Sequence, residues 1–305
     1  MMANRLDPKV VTPAEAAQMT LASERRPRKR RDWRRRLPAL GWALASLACF
    51  VAIWEAVWAL GWANPLLLPP PHIFLRHFGE QATYFIPTDV IGETTESTAL
   101  WSLFKTIVAS TLRVLSGLML GFVLSLGIGI AIRYFRFFGK LTLPTITLLA
   151  PISPIAWLPV AIFLFGIGNA PAIFMVFISL FFVMTVSTIS QIDSVSKTYL
   201  HVAAVMGATR RQTFQHVILP AILPSLFLVL RMNLFGAWMV VLVAEATGVG
   251  SGLGQVVMLA RNTFNSSLSF FTMTLIGITG FVFDLALRTI QKRVLYWVPN
   301  NGMGK

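Results

Sequence analysis

Arg231 stands midway along the apolar run LPAILPSLFLVLRMNLFGAWMVVLVA, where an arginine without a counter-charge is too costly to be incidental. Two chemistries suit such a group. It can attract a small anion, or it can pair with a carboxylate, and Asp284 in the last apolar run and Glu245 just past the end of its own run are both in reach. Arg113, in an earlier apolar run, invites the same anion reading, or solvation at a membrane interface. Glu55 is the one charge in the first apolar run and reaches toward the headgroup region, with a transport role as the alternative. The familiar enzyme signatures are missing. There is no GxxxxGK[ST] phosphate loop and no HExxH, and His72, His77, His201 and His216 have no metal-ligand spacing. GVGSGLG, at Gly248 to Gly254, has no preceding strand and no ribose-binding acid after it, so it reads as a tight external turn. Transport rather than catalysis is the chemistry left, and no cofactor or metal is expected on this chain.

The elements that must hold these groups are membrane helices. Of 305 residues, 55% are hydrophobic and 12% charged, which excludes a soluble domain and allows several spans. A single cysteine, Cys49, excludes a disulfide framework. The net charge of +14 is concentrated at one end: nine basic residues crowd into RRPRKRRDWRRR, Arg25 to Arg36. Placed directly before an apolar run, that cluster reads as a cytoplasmic topology anchor facing lipid headgroups, not as a nucleic-acid contact. Residues 1–37 are expected to form a basic, largely disordered tail, and the run that follows is of span length and is not a cleaved signal sequence.

Spans are expected at about 38–60, 103–132, 141–165, 170–192, 220–243 and 270–290, with a cytoplasmic loop at 194–219 and a short cytoplasmic tail at 298–305. Most lysines and arginines then fall on one side, which places both termini inside. An external segment after the first span contains an amphipathic piece around Ile73 to Tyr84. In the second span Gly117, Gly121, Ser125 and Gly129 recur every four residues, a seam of small side chains that admits another helix closely. The third contains Pro144, Pro151, Pro154 and Pro159 and must be bent or broken. Broken membrane helices survive where protein or a water-filled cavity satisfies the freed carbonyls. Pro151, Pro154, Pro159, Arg113, Arg231 and Glu245 are therefore the candidates for a pathway or gate.

In the cytoplasmic loop, Tyr199, Val202, Ala203 and Met206 fall at helical spacing and make a narrow apolar stripe. Gly207 suits a helix stop, because glycine takes the left-handed conformation without a Cβ penalty. Thr209 and Gln212 have the spacing of a capping box, so a second short helix is expected to carry Arg210, Arg211 and His216 before Pro220. The pair reads as a handle offered to another protein.

Ala203, Gly207, nine intervening residues, then Val217, Leu219 and Pro220 resemble the cytoplasmic signature of bacterial ABC importer permeases, an EAA motif followed by three residues, glycine, nine residues and I-x-L-P. His201 stands at the acidic position and Val202 at the first alanine. LLPPPHIF, TLRVLSGLMLGFVLSLGIGI, PISPIAWLPVAIFLFGIGNAP and LRMNLFGAWMVVLVAEATGVGSGLG extend the resemblance over Leu66 to Trp297, and to the nitrate, sulfonate, taurine and bicarbonate branch. That resemblance implies an all-α, six-span type I ABC importer permease in a bacterial inner membrane, working as a homodimer. Its partners would be a cytoplasmic ABC ATPase, which holds ATP and magnesium, and an external solute-binding protein. Docking on the ATPase would fall to Tyr199, Val202, Ala203, Met206, Gly207, Ala208, Arg210 and Arg211. A stand-alone channel or ion-coupled carrier is the alternative; neither a second inverted repeat nor a row of intramembrane acids supports it.

Overall fold

The computed structural model describes residues 36–62, 64, 66–85 and 96–297. The basic run before Arg36 and the tail at 298–305 lie outside the described residues. The chain divides into two units, residues 1–59 and 60–305. The first contributes one helix, α1 (Arg36–Ala59), with Phe50 and Trp54 in an edge-to-face contact one turn apart.

Among its described residues the second unit has helices joined by turns and no strand. Two short helices, α2 (Pro71–Arg76) and α3 (Phe78–Thr83), replace the single amphipathic piece expected there, the chain breaking at His77. Then come α4 (Glu96–Tyr134), α5 (Arg136–Leu149), a 3-10 turn (Pro154–Trp157), α6 (Leu158–Phe165), α7 (Asn169–Asp193) and α8 (Lys197–Val205). A short turn of helix, α9 (Arg210–Thr213), passes through a π-helical turn (Phe214–Ile218) into α10 (Leu219–Ala244). After a second π turn (Glu245–Val249) follow α11 (Leu253–Asn262) and α12 (Ser266–Val294).

Among the described residues four helices are long and apolar enough to cross a bilayer: Ala99–Tyr134, Asn169–Asp193, Arg210–Val249 and Ser266–Val294. A fifth crossing depends on the third expected span, which is not one helix. Its two halves meet at an angle of 102°. Only Pro144 lies inside a helix; Pro154 and Pro159 start the segments after the break, where a missing N–H costs nothing. The eight residues of α6 reach about 12 Å, well short of a hydrocarbon core of about 30 Å.

The fifth span also departs from expectation. Pro220 does not end a helix: α9, the first π turn, α10 and the second π turn form one rod from Arg210 to Val249. In the first π turn Leu219 N–H bonds back to the carbonyl of Phe214, so the ladder takes in one extra residue immediately before the proline that cannot donate.

Helices buried in lipid gain no hydrophobic energy from meeting one another, so close packing of small residues must hold them together. The α4–α7 pair shows this. Gly117 lies against Val176, Gly121 against Leu180 and Gly129 against Thr188, so the two helices run parallel and in constant register. The rod α10 packs antiparallel to both, with Phe122 on Phe227 midway and Tyr134 edge-to-face on Phe214 where α4 ends. Met175, Leu180, Met184, Leu226 and Leu234 are fully buried and make the centre of this three-helix core. At the start of α12, Phe270 and Phe271 receive Phe74 and Phe78 from the two short helices.

Candidate functional sites

Apart from the three prolines at the break after α5, the candidate residues gather in three places: the turn between α7 and α10, and two arginine clusters inside the helix bundle. In the turn, the Ser196 hydroxyl caps α8 by accepting from Thr198 N–H. At the other end, Gly207 (φ 74°) donates to the carbonyl of Ala204 and Ala208 N–H to that of Ala203, the paired bonds of a Schellman stop. Thr209 restarts the helix at once. Its hydroxyl accepts from Gln212 N–H, and the Gln212 side chain accepts from Thr209 N–H at 2.9 Å. The tight stop and start set α8 at an angle to the long rod. Thr209→Ala is expected to destabilise this corner by about 1 kcal/mol, visible as faster amide exchange at 210–213 with the global melting temperature nearly unchanged.

Ala203 faces inward at 7% exposure, whereas Tyr199, Val202 and Met206 project outward at 60%, 53% and 80%. With Gly207, Ala208, Gln212, His216 and Val217 these residues line a groove of about 530 Å³ between α8 and the rod. Arg210 and Arg211 are exposed on the rod's first turn. Val205, 89% exposed, adds an apolar side chain that the stripe in the sequence does not include.

Near the middle of α4, Arg113 is buried and not solvated. Its Nη1 pairs with Glu245 Oε1 at 2.6 Å and donates to the Ser251 carbonyl, Nη2 donates to Ser251 Oγ, and Nε to Asn169 Oδ1. Glu245, with no exposed surface, uses its other oxygen to accept from Gly254 N–H at 3.0 Å. Ser110 Oγ accepts from Leu253 N–H beside it. One charge pair thereby ties α4, the start of α7, the end of the rod and the loop into α11. Gly252 (φ 115°) passes so close to the Glu245 carboxylate that any Cβ would overlap it.

Arg231 has a different counter-ion. Of the two carboxylates within reach in the sequence it pairs with Asp284, Nε to Oδ1 at 2.7 Å, while Arg288 one turn further along α12 takes Oδ2 at 2.7 Å.

The family model for the binding-protein-dependent transport system inner membrane component matches residues 117–296. The chain belongs to this family. Over 251 residues, 82% of this chain and 89% of the relative, it is 31% identical to a putative ABC transporter permease of Methanocaldococcus jannaschii. The taurine transport system permease of Escherichia coli is 28% identical over 84% of this chain and 89% of its own length. A solved inward-facing structure of the MetNI methionine ABC transporter shares the fold, with a TM-score of 0.54 at 18% identity over 66% of this chain and 99% of that one.

This permease is thus a multi-pass inner-membrane subunit. In the permease family ATP hydrolysis belongs to a separate chain. Pro151, Pro154 and Pro159 lie at the sharp break after α5, with Pro151 and Pro159 exposed. Near that break Gly248 of the second π turn packs on Ile162 of α6, and its carbonyl accepts from Gly168 N–H. The break therefore leans on the element that carries Glu245. Asn169 and Ser251, which bond Arg113, carry no sequence signal beyond being small polar residues near turns, and Ser110 of α4, which accepts from Leu253 N–H, carries none; Arg288, four residues after Asp284, is readable as an i, i+4 pair.

Proposed function

We propose that this permease forms, with a second copy of itself, the translocation pathway of an ATP-driven importer for a small anion delivered by an external binding protein. Six crossings with both termini cytoplasmic complete the reading: α1 supplies the first and the bent pair around Pro151 and Pro154 the third. The excess of basic residues at the α4–α5 junction, in the α8 loop and in the last turns of α12 supports that sidedness. The named transport of taurine, aliphatic sulfonates and bicarbonate by similar permeases supports a solute with an oxyanion group.

The observation that carries the reading is the α8 groove. Tyr199, Val202 and Met206 are large apolar side chains held outward by a capped corner, on the side assigned to the cytoplasm. Such a face has no use in water and suits insertion into a groove of a partner ATPase. Ala203, Gly207 and Ala208 shape the corner, and Arg210 and Arg211 offer charge at its rim. Because the corner is fixed to α7 and to the start of the rod, movement of the ATPases would be passed directly to two membrane helices.

Met206→Asp and Val202→Asp should each lower retention of the ATPase about tenfold or more in affinity purification from native membranes, with the melting temperature of the chain unchanged. Undiminished retention in both variants would remove the docking role. Recovery of the chain alone, passing solute in liposomes without ATP, would replace the importer by a channel or carrier.

A further inference from the structure

Arg113, Arg231 and Arg288 all lie within apolar helices, and they differ in how completely they are satisfied. Arg113 is 5% exposed, and Nε, Nη1 and Nη2 all have acceptors. Arg231 and Arg288 each donate through Nε alone, to the two oxygens of Asp284. Their four terminal nitrogens have no acceptor among the described residues, and the two side chains are 31% and 50% exposed.

Charge tells the same story. Two guanidinium groups on one carboxylate leave a surplus of +1 around Asp284, itself 4% exposed. Glu245 is committed to Arg113, and Asp193 to Arg133. The next turn of α12 adds Lys292 and Arg293, both exposed. A surplus cation within a membrane helix is costly unless something answers it. What answers a guanidinium best is an oxyanion, which accepts two parallel N–H bonds from its flat edge.

We propose that the Arg231–Asp284–Arg288 cluster binds an oxyanion group through the terminal nitrogens of the two arginines. Asp284 acts as the template: by holding both Nε groups it keeps two cations side by side that would otherwise repel, and leaves their outer edges open. The group is either the nitrate-like or sulfonate-like head of the solute in transit or the phosphate of an anionic lipid. The solute source rests on the importer reading; the lipid source does not.

The test uses the full-length chain with whatever partners it retains, in phosphatidylcholine nanodiscs. Thermal stability is followed while nitrate, methanesulfonate or phosphate replaces chloride at constant ionic strength, and separately while phosphatidylglycerol replaces part of the phosphatidylcholine. Arg288→Gln is the key variant, because it leaves the Arg231–Asp284 pair intact and neutral. Stabilisation by an oxyanion salt in pure phosphatidylcholine, with apparent affinity reduced about tenfold or more in Arg288→Gln, identifies the solute as the source. Stabilisation by phosphatidylglycerol alone, reduced likewise, identifies the lipid. Equal responses of the wild type and Arg288→Gln to both additions overturn the site. The readout is binding, so absence of a co-purifying ATPase would count against the importer reading without touching this one.

Discussion

Glu245→Ala should destabilise the chain by about 3–5 kcal/mol, the cost of leaving a buried cation without its counter-ion. Arg113 keeps its bonds to Asn169 and Ser251 in that variant, but these are neutral acceptors and cannot offset a full charge at 5% exposure. The damage should also spread. Glu245 accepts from Gly254 N–H, so its loss frees the start of α11 as well as the end of the rod. Glu245→Gln retains an acceptor of the same shape and should fall between wild type and Glu245→Ala. Arg113→Met should be as harmful as Glu245→Ala, since it strands the carboxylate instead. Combining Arg113→Met with Glu245→Met removes both charges, and the double variant should be more stable than either partner-deleted single variant. Thermal melts in one detergent would show this. Strictly additive losses would mean that the pair is not coupled and that the network does not hold this end of the bundle.

How much of this was legible in the sequence depends on what kind of fact each feature is. The glycine seam, the capping box and the stop at Gly207 are local, and their residue types act over three or four positions, so spacing alone revealed them. Charges in apolar runs are scarce, so Arg231 could be narrowed to two possible partners. Arg113 could not be read the same way. Its place near the start of a long helix allowed an interfacial position, and its partner lies 132 residues further along the chain. Nor could the rod be foreseen. A proline after a short helix signals an end, but an inserted π turn is a shift of register and not a residue type, so it leaves no mark in composition or periodicity. The four prolines predict the break after α5, but their types and spacing do not state its 102° angle.

The second large effect belongs to the α4–α7 seam, and its value lies in the order of the results. A Cβ on Gly117 would stand 2.5 Å from the Cβ of Val176 and 2.8 Å from the carbonyl oxygen of Ile173. Neither atom can swing away, because one is fixed to the backbone and the other belongs to it. At Gly129 the nearest atoms are those of Thr188 at 2.8 Å, and at Gly121 those of Leu180 at 3.2 Å, part of it a flexible side-chain end. Gly127, on the same helix, has nothing within 4 Å. Alanine should therefore cost least at Gly121, more at Gly129, and most at Gly117, where about 3 kcal/mol or loss of the folded chain is expected from overpacking. Gly127→Ala should be neutral, or stabilising by up to about 1 kcal/mol, because alanine favours the helix. Val176→Gly should restore Gly117→Ala in part only, since the Ile173 carbonyl remains. If melting temperatures placed Gly117→Ala level with Gly127→Ala, the helices would not meet along this seam, and the parallel register that brings Arg113 to Asn169 would have to be abandoned with it.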